Sequence, residues 1–200
     1  MILLAVLLTA NVMMAQKKDR TDAFMYNKNG QYEKAMVSIE KCVNHEQFLG
    51  QKPEWQAEAW LYRAVIYQNV LQSNDEALKA KAPDALEKVY ESLMKCMENK
   101  SFLEENKADI YQRVGAVMTS YYNQGSAAFD SQDYAKAASS LKKSFDIANS
   151  LGSPDANEML KYAAYACTRG KDYATAIEYY NILKDNGYDG EDLYYQTAAA

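Results

Sequence analysis

The sequence predicts an all-α protein in which antiparallel helix hairpins stack into an α-solenoid. Gly (8) and Pro (3) are scarce, so the residues that interrupt helices and form tight turns are few. Hydrophobic residues make up 48% of the chain, which is enough to fill a core. The third observation is a recurrent pattern in which apolar residues are spaced three and four apart, as on one face of a helix.

The pattern is clearest in three segments with the same offsets, namely QYEKAMVSIEKC, DYAKAASSLKKS and DYATAIEYYNIL at Gln31–Cys42, Asp133–Ser144 and Asp172–Leu183. Each segment has a Tyr three residues before an Ala, and a larger apolar residue four residues after that Ala. A small residue also stands twelve positions before each Ala, in the pairs Ala23 and Ala35, Gly125 and Ala137, and Ala164 and Ala176. Because small side chains let helix axes approach closely, these pairs predict helix crossings. The Tyr and larger apolar residues are expected to fill the space beside each crossing.

The first three helices follow from this pattern and from their ends. A helix over Lys17–Asn29 ends at Gly30, which suits a helix C-terminus. A second helix is predicted over Gln31–His45. A third is predicted over Pro53–Leu71, since Pro is favoured in the first turn of a helix.

An insertion interrupts the second hairpin. Its small residues, Ala64 and Ala85, are twenty-one positions apart instead of twelve, and the surplus equals the length of Ser73–Lys81. The Ser-x-x-Glu at the start of this segment is a capping-box pattern, which predicts one or two helical turns capped by the Ser. A helix is then expected over Ala82–Lys100.

Four further helices complete the array. A second capping box begins a long helix at Ser101, and Ser153 is expected to cap the helix that starts at Pro154. The predicted ranges are Ser101–Ser131, Asp133–Ser150, Pro154–Arg169 and Lys171–Asn186, followed by the start of another helix at Glu191–Ala200. That last helix has no partner, so we expect these 200 residues to be part of a longer protein.

The amino-terminal residues 1–15 differ from the rest, because MILLAVLLTANVMMA carries no charge and precedes a polar Gln-Lys-Lys. A short apolar run that ends in small residues is typical of a secretory signal peptide. It is shorter than the ~20 apolar residues that a membrane-spanning helix needs. We therefore expect export to the periplasm or cell envelope, with no stable membrane insertion after cleavage. A buried first helix is the alternative.

The repeated Tyr, Ala and larger apolar positions resemble those of the tetratricopeptide repeat (TPR), and with the apolar leader they resemble exported bacterial TPR proteins. The resemblance places the helical-repeat domain at 16–200, with repeats at about 17–48, 53–100, 101–151 and 154–188 and the start of a further repeat at 190–200. The repeats are irregularly spaced, because the alanines of successive copies lie 50, 52 and 39 residues apart. The resemblance implies a scaffold that binds a protein or peptide partner.

Motifs for catalysis, cofactors and metals are not found in the sequence. His45 is the only His, and no HExxH, CxxC or Gly-rich phosphate loop occurs. Three cysteines cannot all pair, and Cys42 and Cys167 fall on predicted buried faces, as small hydrophobic residues do. The net charge of −5 argues against nucleic acid as a partner. We therefore expect a protein that is not an enzyme and that has no cofactor.

The resemblance also implies where a partner binds, because in TPR proteins the first helix of each hairpin lines a concave surface. The candidate residues are Arg20, Phe24, Asn27 and Lys28 in the first repeat, Tyr62, Gln68 and Asn69 in the second, Tyr122, Ser126 and Phe129 in the third, and Lys161, Tyr165 and Arg169 in the fourth. Arg and aromatic residues are frequent anchors of interfaces. For Tyr122 and Phe129, a place in the core is the alternative.

Two other functions compete with a protein-binding scaffold. The chain could be an accessory region of a larger envelope enzyme or assembly factor. It could also bind a glycan or another small ligand, with Trp55, Trp60 and Tyr62 as a stacking platform. The sequence leaves the oligomeric state open.

Overall fold

The computed structural model describes residues 17–188, in which all regular secondary structure is helical. The elements are α1 (residues 17–28), α2 (Tyr32–Val43), a short 3-10 helix (Phe48–Gly50), α3 (Pro53–Gln72), α4 (Glu76–Ala80), α5 (Ala85–Met97), α6 (Lys100–Asp130), α7 (Tyr134–Ser150), α8 (Ala156–Arg169) and α9 (Tyr173–Asp185). None of these helices is long and apolar enough to cross a membrane. The predicted signal peptide and the predicted helix at Glu191–Ala200 lie outside the described residues.

The chain divides after Tyr111 into two compact units, and α6 contributes residues to both. In the first unit α2 packs on α3 and α3 packs on α5, while in the second unit α7 packs on α8 and α8 on α9. Helices that are close in sequence are therefore close in space. The all-α fold class predicted from the apolar periodicity is confirmed.

Two of the predicted helix caps are wrong, because an Asp follows each Ser before its helix begins. The carboxylate of Asp75, and not Ser73, accepts a hydrogen bond from an amide in the first turn of α4, at 3.0 Å. The hydroxyl of Ser73 instead accepts from the amide of Asp75, at 3.1 Å. Ser153 likewise accepts from the amide of Asp155, and α8 begins only after Asp155. Both serines therefore shape the turn that precedes the helix.

The long helix α6 is also capped by a different residue from the one predicted. The side-chain oxygen of Asn99 accepts a hydrogen bond from the Phe102 amide at 3.1 Å, which places the helix start before Ser101. Asp133 and Asp172 cap α7 and α9 in the same way. Asn and Asp are among the best N-cap residues, since their oxygens satisfy amides that have no partner within the helix.

The small residues of the repeat pattern are buried at helix contacts, with exposed fractions of 0–1% for Ala23, Ala35, Ala64, Ala85, Ala137, Ala164 and Ala176. Among the glycines of the described residues, Gly125 of α6 comes closest to a neighbouring helix. A Cβ atom at this position would lie 2.6 Å from Cγ of Leu141 and 3.2 Å from the carbonyl oxygen of Ala137, both on α7. The predicted close crossing at Gly125 and Ala137 is therefore confirmed.

The prediction that the repeat tyrosines fill space beside the crossings is wrong for one copy. Tyr173, the first residue of α9, is 44% exposed. Tyr134, the equivalent residue of α7, is half-buried and contacts the ring of Phe129 edge-on at 5.3 Å.

A buried polar cluster connects α2, α3 and α5 in the first unit. The side chain of Arg63 is 7% exposed and donates to the Glu40 carboxylate at 2.8 Å and to the Ser92 hydroxyl at 2.8 Å. The hydroxyl of Tyr67 donates to the same Glu40 oxygen at 2.8 Å, and the ammonium of Lys88 donates to the Tyr67 hydroxyl at 3.1 Å. The cluster satisfies groups that would be costly to bury alone.

The three cysteines, Cys42, Cys96 and Cys167, are buried and unpaired. Burial raises the pKa of Cys42 and Cys96 to about 12 and that of Cys167 to about 11. We expect none of them to react with Ellman's reagent within minutes at pH 8, since the thiolate is the reactive form. Three thiols should be titrated once the protein is denatured. Rapid reaction of any thiol in the folded protein would contradict this prediction.

The same pKa shifts predict a loss of stability in alkali. Thiols of the unfolded chain ionise near pH ~8.5, whereas those of the folded chain hold their protons until about pH 11–12. Their contribution is therefore fully present below pH ~8.5 and is lost as the pH rises through the folded values.

Candidate functional site

Arg20, a candidate residue of the first unit, is held between α1 and α3. Its guanidinium forms an ion pair with Glu58 and lies 4.7 Å from the ring centroid of Trp55 and 5.9 Å from that of Tyr62. The hydroxyl of Tyr62 donates to Glu58 at 3.0 Å. Burial and this hydrogen bond raise the pKa of Tyr62. The positive charge of Arg20 is therefore already compensated by a carboxylate.

The other candidates of the first unit continue the contact between α1 and α3. The ring of Phe24 lies 5.5 Å from the ring of Tyr62, and the amide of Asn69 donates to the side-chain oxygen of Asn27 at 2.9 Å. Gln68 is half-buried and Lys28 is exposed. Five of the seven predicted residues thus connect two helices, which leaves fewer of their polar groups available to a partner.

The two tryptophans proposed as a glycan platform have rings that are used in packing. The buried ring of Phe48 lies 5.8 Å from Trp55 and 5.4 Å from Trp60. Arg20 covers Trp55, and the guanidinium of Arg63 lies 5.6 Å from the ring of Trp60. A sugar would have to compete with the arginines for the ring faces that they cover.

In the second unit, the predicted residues Tyr122, Ser126, Phe129 and Tyr165 lie together in one groove. We define the aromatic groove by its six lining residues, which are Tyr122, Ser126 and Phe129 of α6, Leu141 of α7, and Tyr162 and Tyr165 of α8. Its volume is about 320 Å³. The α6 residues are four and three positions apart and the α8 residues are three apart, so each set faces one way.

The groove has a buried floor and exposed aromatic walls. Leu141 is 3% exposed, whereas Tyr122, Tyr162 and Tyr165 are 37%, 43% and 37% exposed. The rings of Phe129 and Tyr165 stack on each other in the lining of the groove, with centroids 5.5 Å apart and an interplanar angle of 25°. Tyr122 is exposed, whereas Phe129 is half-buried and also packs against the hydrophobic core of the second unit.

Arg169 lies one helical turn beyond Tyr165 on α8. Its guanidinium is 5.9 Å from the ring centroid of Tyr134. Hydrogen bonds to the hydroxyls of Tyr134 and of Tyr165 raise the pKa of Arg169, so its charge persists at all physiological pH values. Arg169 forms no ion pair with any carboxylate of residues 17–188.

Lys161, like Arg169, does not line the groove. Its ammonium lies 3.1 Å from the Glu158 carboxylate and 5.8 Å from the ring of Tyr188. Its interactions with Tyr188 and then Glu158 raise the pKa of Lys161. Lys161 is thus charged, but its charge is compensated within α8.

Sequence reasoning missed two lining residues, Leu141 and Tyr162. The repeat pattern predicts that Leu141, four positions after Ala137, packs beside a helix crossing. Nothing in that position indicates that Leu141 also forms the floor of a groove. Tyr162 could have been found, because it stands three positions before Tyr165 and so shares its helix face.

No group of three or more His, Cys, Asp or Glu is arranged to hold a metal ion within the described range 17–188. The only His follows α2, and the Nδ1 atom of His45 accepts a hydrogen bond from the amide of Gln47 at 3.2 Å. This bond fixes the orientation of the ring in the turn between α2 and α3.

A comparison with models of protein families found no match to this chain, and a comparison with curated proteins also found none. The functional interpretation therefore depends on the geometry of the aromatic groove.

Proposed function

We propose that this protein is a non-enzymatic scaffold that binds a peptide segment of a partner protein in the aromatic groove. The observation that carries the proposal is the set of three tyrosines with exposures of 37–43% around a buried floor. Tyr offers a large rigid ring and a polar hydroxyl, which makes it one of the commonest anchor residues of interfaces. A cluster of such rings in a concavity is typical of a binding surface.

The size of the groove favours a short segment over a folded domain. At about 320 Å³ it lies near the lower end of the ~300–1,000 Å³ usual for ligand pockets. It can hold one or two large side chains, as in complexes in which an extended peptide inserts alternate residues into a groove. The rest of the segment would lie over α6 and α8.

We further propose that the hairpins form a TPR-like α-solenoid and that the groove belongs to its concave face. Three features support this interpretation: the recurrent offsets, the burial of the small residues, and the contacts between successive helices. The groove is built by α6 and α8, which are the first helices of two successive hairpins in this interpretation. In TPR proteins these helices line the binding surface.

The proposed site of action is the periplasm or cell envelope. This part of the proposal is supported by the uncharged apolar leader at 1–15. The partner would then be an envelope protein. The same groove would serve if the chain were an accessory region of a larger envelope protein.

Photo-crosslinking tests the proposed function. With p-benzoylphenylalanine in place of Tyr165, we expect ultraviolet light to link the full-length protein to a partner in its own cells. The matched control places the same amino acid at Tyr173, which is 44% exposed against 37% for Tyr165 but lies on α9 and does not line the groove. Products that are identical at both positions, or absent at Tyr165, would contradict the proposal.

A further inference from the structure

We propose that the segment bound in the aromatic groove carries a large apolar side chain and, two or three residues away, an acidic residue that pairs with Arg169. This inference rests on the proposed function, because it assigns the chemistry of the partner that the groove would bind. Three observations support it, namely the lining of the groove, the charges on α8 and the distance between them.

The lining of the groove selects an apolar side chain. Its floor is Leu141 and its stacked wall is formed by Phe129 and Tyr165. Such a site gains free energy by removing apolar surface from water. The hydroxyls of Tyr122 and Ser126 are the polar groups of the α6 side, and they can bond to the backbone of an extended segment without requiring a charge.

The charges on α8 select an acidic residue at one end of the groove. Arg169 is an exposed cation with no carboxylate partner among residues 17–188, whereas the charge of Lys161 is compensated by Glu158 at 3.1 Å. The ring of Tyr134, with its centroid 5.9 Å away, and the hydroxyls of Tyr134 and Tyr165 orient the guanidinium of Arg169. A planar guanidinium suits a carboxylate, which it can bind through two parallel hydrogen bonds. A basic segment would meet repulsion at the same place.

The distance between Arg169 and the groove determines how far apart the acidic and the apolar residue of the bound segment should be. A helix rises 1.5 Å per residue, so Arg169 lies roughly 6 Å along α8 from Tyr165 and roughly 10 Å from Tyr162. An extended peptide advances about 3.3 Å per residue. The acidic residue should therefore be two or three positions from the apolar residue that occupies the groove.

Synthetic peptide pools test this inference on the full-length protein. Each fluorescent pool has Phe at one position, Glu or Lys two or three positions away, and mixed residues elsewhere. By fluorescence polarisation, we expect the Glu pools to bind about threefold to tenfold more tightly than the Lys pools. Pools with Ala in place of Phe should lose most of their binding.

Two variants of the protein identify the residue responsible. Arg169→Gln should bind the Glu and Lys pools equally. The control Lys184→Gln removes the same charge from an exposed position on α9, outside the groove, and should keep the preference. Arg169 and Lys184 are both exposed, so neither change affects the core, and unchanged circular dichroism would verify this.

The outcomes separate this inference from the proposed function. Equal binding of both pools by the wild type, a preference that survives in Arg169→Gln, or no binding of any pool at about 1 mM peptide would overturn the inference. Crosslinking of a partner at Tyr165 would still support the scaffold function in each of these cases. If no partner is crosslinked at Tyr165 but the Glu pools still bind more tightly, the inferred chemistry of the groove would be supported and the proposed cellular function would be contradicted.

Discussion

Arg63→Ala is expected to lower the free energy of unfolding of the first unit by about 3–5 kcal/mol, the usual effect of removing one partner of a buried ion pair. The substitution leaves the Glu40 carboxylate facing a site from which its strongest partner, at 2.8 Å, has been removed. It also removes the donor to Ser92 and to the carbonyl oxygen of Lys88. The Arg63 side chain is 7% exposed, so water has little access to the site and does not replace these donors.

Tyr67 cannot compensate for the loss. Its hydroxyl already donates to Glu40, and burial and the Glu40 charge raise its pKa, so it remains a neutral donor. Lys88 is 3.8 Å from the same Glu40 oxygen and supplies only part of the charge that Arg63 removes. Glu40 keeps the hydrogen bond from Tyr67 and is 26% exposed, so the destabilisation should lie at the lower end of this range.

Urea denaturation followed by tryptophan fluorescence measures this effect. Trp55 and Trp60 are the only tryptophans of the sequence, so the signal reports on the first unit alone. The control is Lys95→Ala, which breaks an exposed pair with Glu98 and should cost about 0–1 kcal/mol. A loss below about 1 kcal/mol for Arg63→Ala would show that the buried cluster does not hold α2, α3 and α5 together.

Gly125→Ala and Gly115→Ala are expected to change the stability of the second unit in opposite directions, although both place Ala in α6. At Gly115 the new methyl group meets no atom within 4 Å, so the helix gains about 1 kcal/mol from the higher helix propensity of Ala. At Gly125 the methyl group would lie 2.6 Å from Cγ of Leu141. Overpacking costs about 1–3 kcal/mol, which exceeds the gain in propensity.

Thermal unfolding followed by circular dichroism compares the two variants, and we expect their midpoints to move to opposite sides of the wild-type value. Adding Leu141→Ala should relieve the clash in the Gly125→Ala protein, so the two changes together should cost less than the sum of their separate costs. Equal shifts for the two glycines would contradict the close crossing of α6 and α7.

The helices were predictable because their signals are local. Apolar spacing of three and four residues places one side of each helix in the core, and the small residues at the repeat positions are buried as the pattern requires. The helix starts were predicted less well. Ser73, Ser101 and Ser153 each fit a capping pattern, but Asp75 and Asn99 cap their helices, and α8 starts after Asp155. Neighbouring caps compete, and a pattern of residue types alone does not rank them.

The candidate site was predictable only in part. Sequence spacing shows which residues share one face of a helix, but it does not show which other side chains pack against that face. Tyr122, Phe129 and Tyr165 are on the first helices of their predicted hairpins, and they lie together in the aromatic groove. Arg20 was placed on a first helix as well, yet its charge is compensated by Glu58, thirty-eight residues away. The same residue types therefore form an open groove in one unit and an internal contact in the other.

The sequence alone predicts that the protein is helical, the approximate positions of the helices described in 17–188 and the burial of the small residues, because these properties depend on residues within one or two turns of each other. Only the tertiary structure decided that Arg63 is buried with Glu40 and that Arg169 remains without a carboxylate partner among the described residues. Both results depend on which side chains distant helices bring together. The physical reason is that charge compensation is a property of pairs in space, whereas helix periodicity is a property of neighbours along the chain.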